Sequence, residues 1–171
     1  MSQSSTRETS TASLAIDGDK STSSVTVCSY DTDHWYKINF DDVYCISEVI
    51  ILQLENNYRK QFGMEDTNVL VVNSKTGTES LCGVLKISNK KTWYSQTYTI
   101  PCDQKSGDEI VLKVRHNEGE YEKPGCIHMK EIEVKASLSS DCEDSEDSDE
   151  SDDSDDSDDR EDPNFEIQGE I

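Results

Sequence analysis

Two carboxylates two residues apart, Asp17 and Asp19, flank Gly18 where the short apolar run SLAIDGD ends in a tight turn. The other residues with chemistry to offer are three histidines, six cysteines and a basic pair, Arg59 and Lys60, in a polar loop. None of His34, His116 and His128 has a Ser or Cys partner in a recognised motif, and no nucleophile–base pair, carboxylate dyad or phosphate loop is visible. This argues against an enzyme. No cysteines form the C-x-x-C pairs expected of zinc. Spread singly among strands, Cys28, Cys45, Cys82, Cys102 and Cys126 read as disulfide partners and so as a mark of an oxidising, extracellular compartment, with scattered buried thiols of a non-secreted interaction domain as the alternative. Cys142 lies in the tail and reads as free or intermolecular.

Charge divides the chain. Residues 141–162 hold fifteen Asp or Glu and one Arg, spaced by serines as SDESDDSDDSDD, a net charge of -14. With almost nothing apolar to bury, this stretch is expected to be disordered. Residues 1–140 carry only -5 of the total -21, so the folded part is mildly acidic. No basic stripe is available to displace counterions from a phosphate backbone, which argues against nucleic acid and against anionic membrane. No apolar run approaches the roughly 20 residues that span a bilayer, and the polar start MSQSSTRETSTAS lacks the apolar h-region of a signal peptide. Ser145, Ser148, Ser151, Ser154 and Ser157 stand among acidic residues as an acidophilic kinase requires. The polyanion would attract Ca²⁺ weakly and in number, or basic proteins and mineral, or serve as a solubilising linker.

The elements that must position these residues are strands. In residues 34–40, Trp35, Lys37 and Asn39 alternate with Tyr36, Ile38 and Phe40, and residues 43–52 form a second, β-branched run; Asp41 and Asp42 read as a turn between them. Further strands are expected at 67–73, 81–87, 93–102, 109–115 and 126–136, with turns at Gly77 and Gly107. In the last, Ile127 and Met129 fall out of phase with Ile132 and Val134, which predicts a bulge near Lys130. Some eight short strands with no helical period predict an all-β antiparallel sandwich. The expected organisation is a flexible N-terminus over 1–12, the sandwich over 13–137 and a disordered Ser/Asp-rich tail over 138–171.

The order AIDGD (15–19), Cys28, WYKINF (35–40), YCISEVII (44–51), LCG (81–83), PC (101–102) and KEIEV (130–134) resembles an F-type lectin, or fucolectin, domain over residues 10–136. That resemblance implies a discoidin-like, galactose-binding-like jelly-roll sandwich with a structural Ca²⁺. The implied ligands are Asp17, Asp19, Leu14 and Val27 by their carbonyls, Lys130 by its carbonyl, and Glu131. Such a set suits a hard cation that takes six to eight oxygens. A metal between Asp17 and Glu131 would staple the first strand to the last. The resemblance also implies a Cys82–Cys102 disulfide; Cys28 has Cys126 as a partner if the bulge shifts the register, with Cys45 competing.

The family's fucose pocket uses a His after the first Cys, then Arg-x-Asp, then Arg or Lys. Here Tyr30, Leu54 and Asn56 stand at the first three positions, and Arg59 or Lys60 serves as the last. Glycan binding, to fucose or galactose among others, is therefore assigned to Tyr30, His34, Tyr58, Arg59 and Lys60. The competing reading is a discoidin-like adhesion or scaffold domain that has lost the sugar and binds protein or mineral. Oligomeric state stays open.

Overall fold

The structure is a computed structural model that describes residues 1–29, 33–53, 64–87, 96–114, 125–138 and 142. It has seven strands, β1 (Ser2–Gln3), β2 (Ser24–Val25), β3 (His34–Gln53), β4 (Thr67–Asn73), β5 (Thr78–Leu85), β6 (Thr97–Val114) and β7 (His128–Leu138), and one 3₁₀ turn, Ala12–Ala15. Every strand pairing is antiparallel. The order is β2-β7-β3-β6-β4-β5, with β1 added to β3.

One bent ribbon makes the sandwich. Residues 34–39 of β3 pair with 109–114 of β6, and 48–52 pair with 97–101, with register shifts between. β4 joins only the first half of this ribbon and β7 only the second. Cys82 of β5 is nevertheless bonded to Cys102, and a Cβ on Gly83 would stand 3.0 Å from Ile100. β5, which pairs only with β4, therefore lies over the half of β6 that β4 does not join. The ribbon has folded back on itself, and Tyr36, Ile46, Ile51, Ile110 and Leu112 are sealed between its layers.

The bend falls at residues 40–43 of β3 and 102–108 of β6. The two runs separated by Asp41 and Asp42 are therefore halves of one strand, not two strands across a turn, because β6 bends beside them and keeps its bonds on both sides. Gly107 likewise sits inside β6 and is not a hairpin turn. A Cβ there would meet Val71 Cγ1 at 2.5 Å and the Val72 carbonyl oxygen at 2.6 Å, so glycine lets β6 press against β4 as it turns.

The other ends of these strands gather at the opposite pole. His34 pairs with Val114, Val114 with Thr67, Thr67 with Leu85, and Gln53 with Met129. The segments 30–32, 54–63, 88–95 and 115–124 are all flanked by residues of this pole. Ser29 bridges to Gly125 beside the Cys28–Cys126 disulfide.

The predicted bulge is present. Leu52 pairs with Glu131 and Gln53 with Met129, so Lys130 is the extra residue. Two further expectations are corrected. Residues 1–12 are not loose: β1 pairs with β3, Ser24 Oγ donates to Gln3 Oε1 at 2.7 Å, and the Val27 and Trp35 N–H groups donate to the Ser5 and Ser4 hydroxyls at 3.0 and 3.2 Å. Short polar side chains there take up backbone donors of neighbouring segments, a role that local propensity does not reveal. Cys142 is not free but bonded to Cys45, near the bend. Apart from Leu138 and Cys142, the tail lies outside the described residues.

At the bend, the Ser74 N–H and hydroxyl both donate to the Asp108 carboxylate, the former at 2.7 Å. These bonds, the hydroxyl's foremost, hold the Asp108 carboxyl below the usual carboxylate range. A depressed native pKa contributes stability that is present above the unfolded value, about 4, and is lost as pH falls through the native value. Asp108→Ala should therefore lower the thermal midpoint at pH 7, and the gap from wild type should close as pH falls through the carboxylate range. A gap that stayed constant with pH would mean the carboxylate charge contributes nothing.

Candidate functional site

The Asp17–Asp19 turn packs against the start of the last strand's paired region. Gly18 has φ +77°, a left-handed conformation that residues with a Cβ rarely adopt. This turns the chain sharply, and Asp17 Oδ1 accepts the Asp19 N–H at 2.8 Å. The Thr22 hydroxyl then meets four oxygens: Leu14 O at 3.2 Å, Asp17 Oδ1 at 3.1 Å, Asp17 Oδ2 at 2.9 Å and Asp19 O at 2.8 Å. It has one proton to give. The other close approaches are oxygen against oxygen.

Glu131 faces this cluster. Burial, and then the neighbouring Asp17 charge, push its carboxyl above the usual range, against the pull of the Gly18 N–H and, more weakly, of the Lys20 charge. Its Oε1 is buried and accepts no hydrogen bond. A carboxylate oxygen shut away beside a second carboxylate costs free energy unless a positive charge sits with it. The set of Asp17, Glu131, Leu14 O, Asp19 O and Thr22 Oγ1 is all hard oxygen, which fits Ca²⁺. Among the described residues no three His, Cys, Asp or Glu side chains come together, so any ion here would rely on carbonyl and hydroxyl oxygens beyond its two carboxylates.

Within the predicted ligand set the structure brings Leu14, Asp17, Asp19 and Glu131 together. Asp19 faces Thr22 with its carbonyl; its carboxylate instead accepts the Ser21 N–H at 2.8 Å, and the bonds to Ser21 lower its pKa. Lys130 adjoins Glu131 as the bulged residue. Val27 instead donates its N–H to the Ser5 hydroxyl. Thr22 was missed in the sequence, where it is one hydroxyl in the run KSTSS. Tyr36 braces the site from inside: its hydroxyl donates to the Ala12 carbonyl at 2.9 Å, and burial, with Glu131 nearby, raises its pKa.

Of the predicted sugar contacts, Tyr30, Tyr58, Arg59 and Lys60 lie outside the described residues. His34 is 2 % exposed, and its Nε2 faces the Ser29 hydroxyl at 3.3 Å and the Ser29 carbonyl at 3.4 Å. A Cβ on Gly125 would approach its ring to 3.1 Å. The imidazole thus supports the pole from beneath instead of offering a nitrogen at the surface, a correction to its expected role.

No family model matches the chain, and no curated protein matches it in sequence. Solved structures do match its fold. A fucolectin from the serum of Morone saxatilis (striped bass) superposes with TM-score 0.62 at 16% identity, covering 80% of this chain and 45% of that one. The fold is that of the F-type lectins. The lectin domain of Lectinolysin complexed with Lewis B antigen gives TM-score 0.62 at 16% identity over 80% of this chain and 92% of its own. The family 32 carbohydrate-binding module of C. perfringens NanJ in complex with galactose gives 0.58 at 19% identity, over 78% and 90%. The F-type lectin fold is thus shared with galactose-binding-like modules, while this chain spans less than half the length of the bass protein. Three disulfides fit an oxidising compartment. No helix among the described residues is long and apolar enough to cross a membrane.

Proposed function

We propose that this chain is an extracellular carbohydrate-recognition module, stabilised by Ca²⁺ at the Asp17–Glu131 cluster, that takes glycans at the pole where the strand ends converge. The observation that carries the metal is the buried, unpartnered Oε1 of Glu131 facing Asp17. Asp17 and Glu131 would hold the ion by their carboxylates, and Leu14, Asp19 and Thr22 by neutral oxygens. Ca²⁺ would join residues 14–22 to β7 and so fix the N-terminal segments against the pole. The glycan reading is supported by the shared fold, whose neighbours include proteins solved with galactose and Lewis B antigen. Arg59 is the cationic donor assigned to sugar hydroxyls, with fucose and galactose as first candidates.

Thermal unfolding of the full chain tests both parts. A ligand that binds only the native state stabilises it by about 2.7 kcal/mol at a hundredfold excess over Kd and so raises the midpoint. Ca²⁺ should raise the midpoint relative to chelator, and Glu131→Gln or Asp17→Asn should abolish the rise. Fucose or galactose should raise it further, and Arg59→Ala should remove only that second increment. A Ca²⁺ response with silence to both sugars and to a glycan array would favour the adhesion or scaffold reading. No Ca²⁺ response would sink the metal site.

A further inference from the structure

A groove of about 460 Å³ runs over the outer face of the layer formed by residues 34–39 and 109–114 with β4 and β5. None of its lining residues belongs to the Asp17 cluster. Leu70, Val72 and Val111 form an apolar strip along it. Strand register sets Lys113 beside Trp35 at the pole end and Glu109 beside Asn39 at the bend end, with Val72 pairing both Glu109 and Glu79.

Three features bear on what would fill it. Its charges balance, with Lys37 and Lys113 against Glu79 and Glu109, and Lys37 Nζ donates to Glu109 Oε2 at 2.7 Å. A polyanion or polycation gains nothing from such a field. The half-buried Trp35 indole N–H, the Asn39 amide, Lys113 and Glu79 have no side-chain partner among the described residues, so both donors and acceptors are available. An aromatic face beside an apolar strip, edged by mixed polar groups, matches a sugar ring with its C–H faces and its ring of hydroxyls.

We infer that this groove is a second saccharide site, taking a neutral oligosaccharide chain laid along Trp35 towards Asn39. The apolar strip and indole pack against pyranose C–H faces, and Asn39, Lys113 and Glu79 bond hydroxyls. The volume lies within the range of about 300–1,000 Å³ for small-ligand sites. Binding here does not need the Arg59 pole.

The test uses the full chain carrying Trp93→Phe, which leaves Trp35 as the sole tryptophan. Its fluorescence is titrated with neutral β-1,4-linked hexasaccharides of glucose, xylose, mannose and N-acetylglucosamine. At least one should give a saturable change that persists in Arg59→Ala. Asn39→Ala and Lys113→Ala, both surface positions, should each weaken that binding about tenfold, as expected for one good hydrogen bond in a small site, with an unchanged thermal midpoint. No change with any of the four sugars would overturn the proposal. So would loss of the response in Arg59→Ala, which would assign it to the pole, or a concentration-dependent Trp35 signal without sugar, which would assign the groove to a second copy of the chain.

Discussion

Replacing Cys28 and Cys126 together by serine should cost about 4 kcal/mol, and the Cys45–Cys142 bridge closes a loop of nearly the same length. The bridge spans a sequence separation of 98 residues. In the chain-entropy description, freeing a loop of that length loosens the unfolded state by roughly 4–5 kcal/mol, whereas removal of native bridges is measured at about 2–5. Cys82–Cys102, with a separation of 20, should cost about 3 kcal/mol on the same basis. Cys126 is 1 % exposed, so a serine hydroxyl placed there adds a desolvation cost. Urea unfolding under non-reducing conditions checks this through the midpoint at constant slope. The bridge also lies next to the Ser29–Gly125 pairing beneath the pole. The glycan binding proposed for that pole should therefore weaken even at temperatures where the variant stays folded. Equal losses for the 28–126 and 82–102 pairs would show that loop entropy is not what separates them.

What could be read in advance followed the period of two. The alternation over 35–40 put Tyr36 and Ile38 on one face and Trp35, Lys37 and Asn39 on the other; the structure buries the first pair and leaves the second set along the groove. The one-residue slip between Met129 and Ile132 located the bulge at Lys130, because a slipped register must eject one residue. The same alternation places His34 on the Tyr36 face, so its burial was legible, and treating it as a sugar contact went against its own strand. The Cys45–Cys142 bridge was not legible, since it depends on the register of β7 on β3, which sets Leu138 opposite Tyr44, and no local pattern encodes that. Nor was the N-terminal segment, whose order comes from hydroxyls and an amide that serve other segments' backbones. The Asp-Gly-Asp turn was legible in its residues, whereas its meeting with Glu131 entered only through the family resemblance. Thr22 was not legible, because the convergence of four oxygens on one hydroxyl exists only once the turn has closed.

Gly107→Ala should be the most damaging single methyl in the fold, at about 3 kcal/mol, the upper end of what overpacking usually costs. The added Cβ would stand 2.5 Å from Val71 Cγ1 and 2.6 Å from the Val72 carbonyl oxygen. The valine could rotate away, but the carbonyl belongs to β4, which is pinned by pairing to β5 and β6 on either side. Relief must therefore come from moving β6 out of the bend. Gly83→Ala offers the internal control: its Cβ would meet only Ile100 Cγ2, at 3.0 Å, a side-chain end that can yield, so it should cost clearly less. Urea midpoints of the two variants measure the order. The bend is also what returns both halves of the β3–β6 ribbon to one pole, so Gly107→Ala should weaken the proposed glycan binding at a site it does not touch. A Gly107→Ala protein as stable as Gly83→Ala would mean that β4 and β6 can separate at the bend without cost.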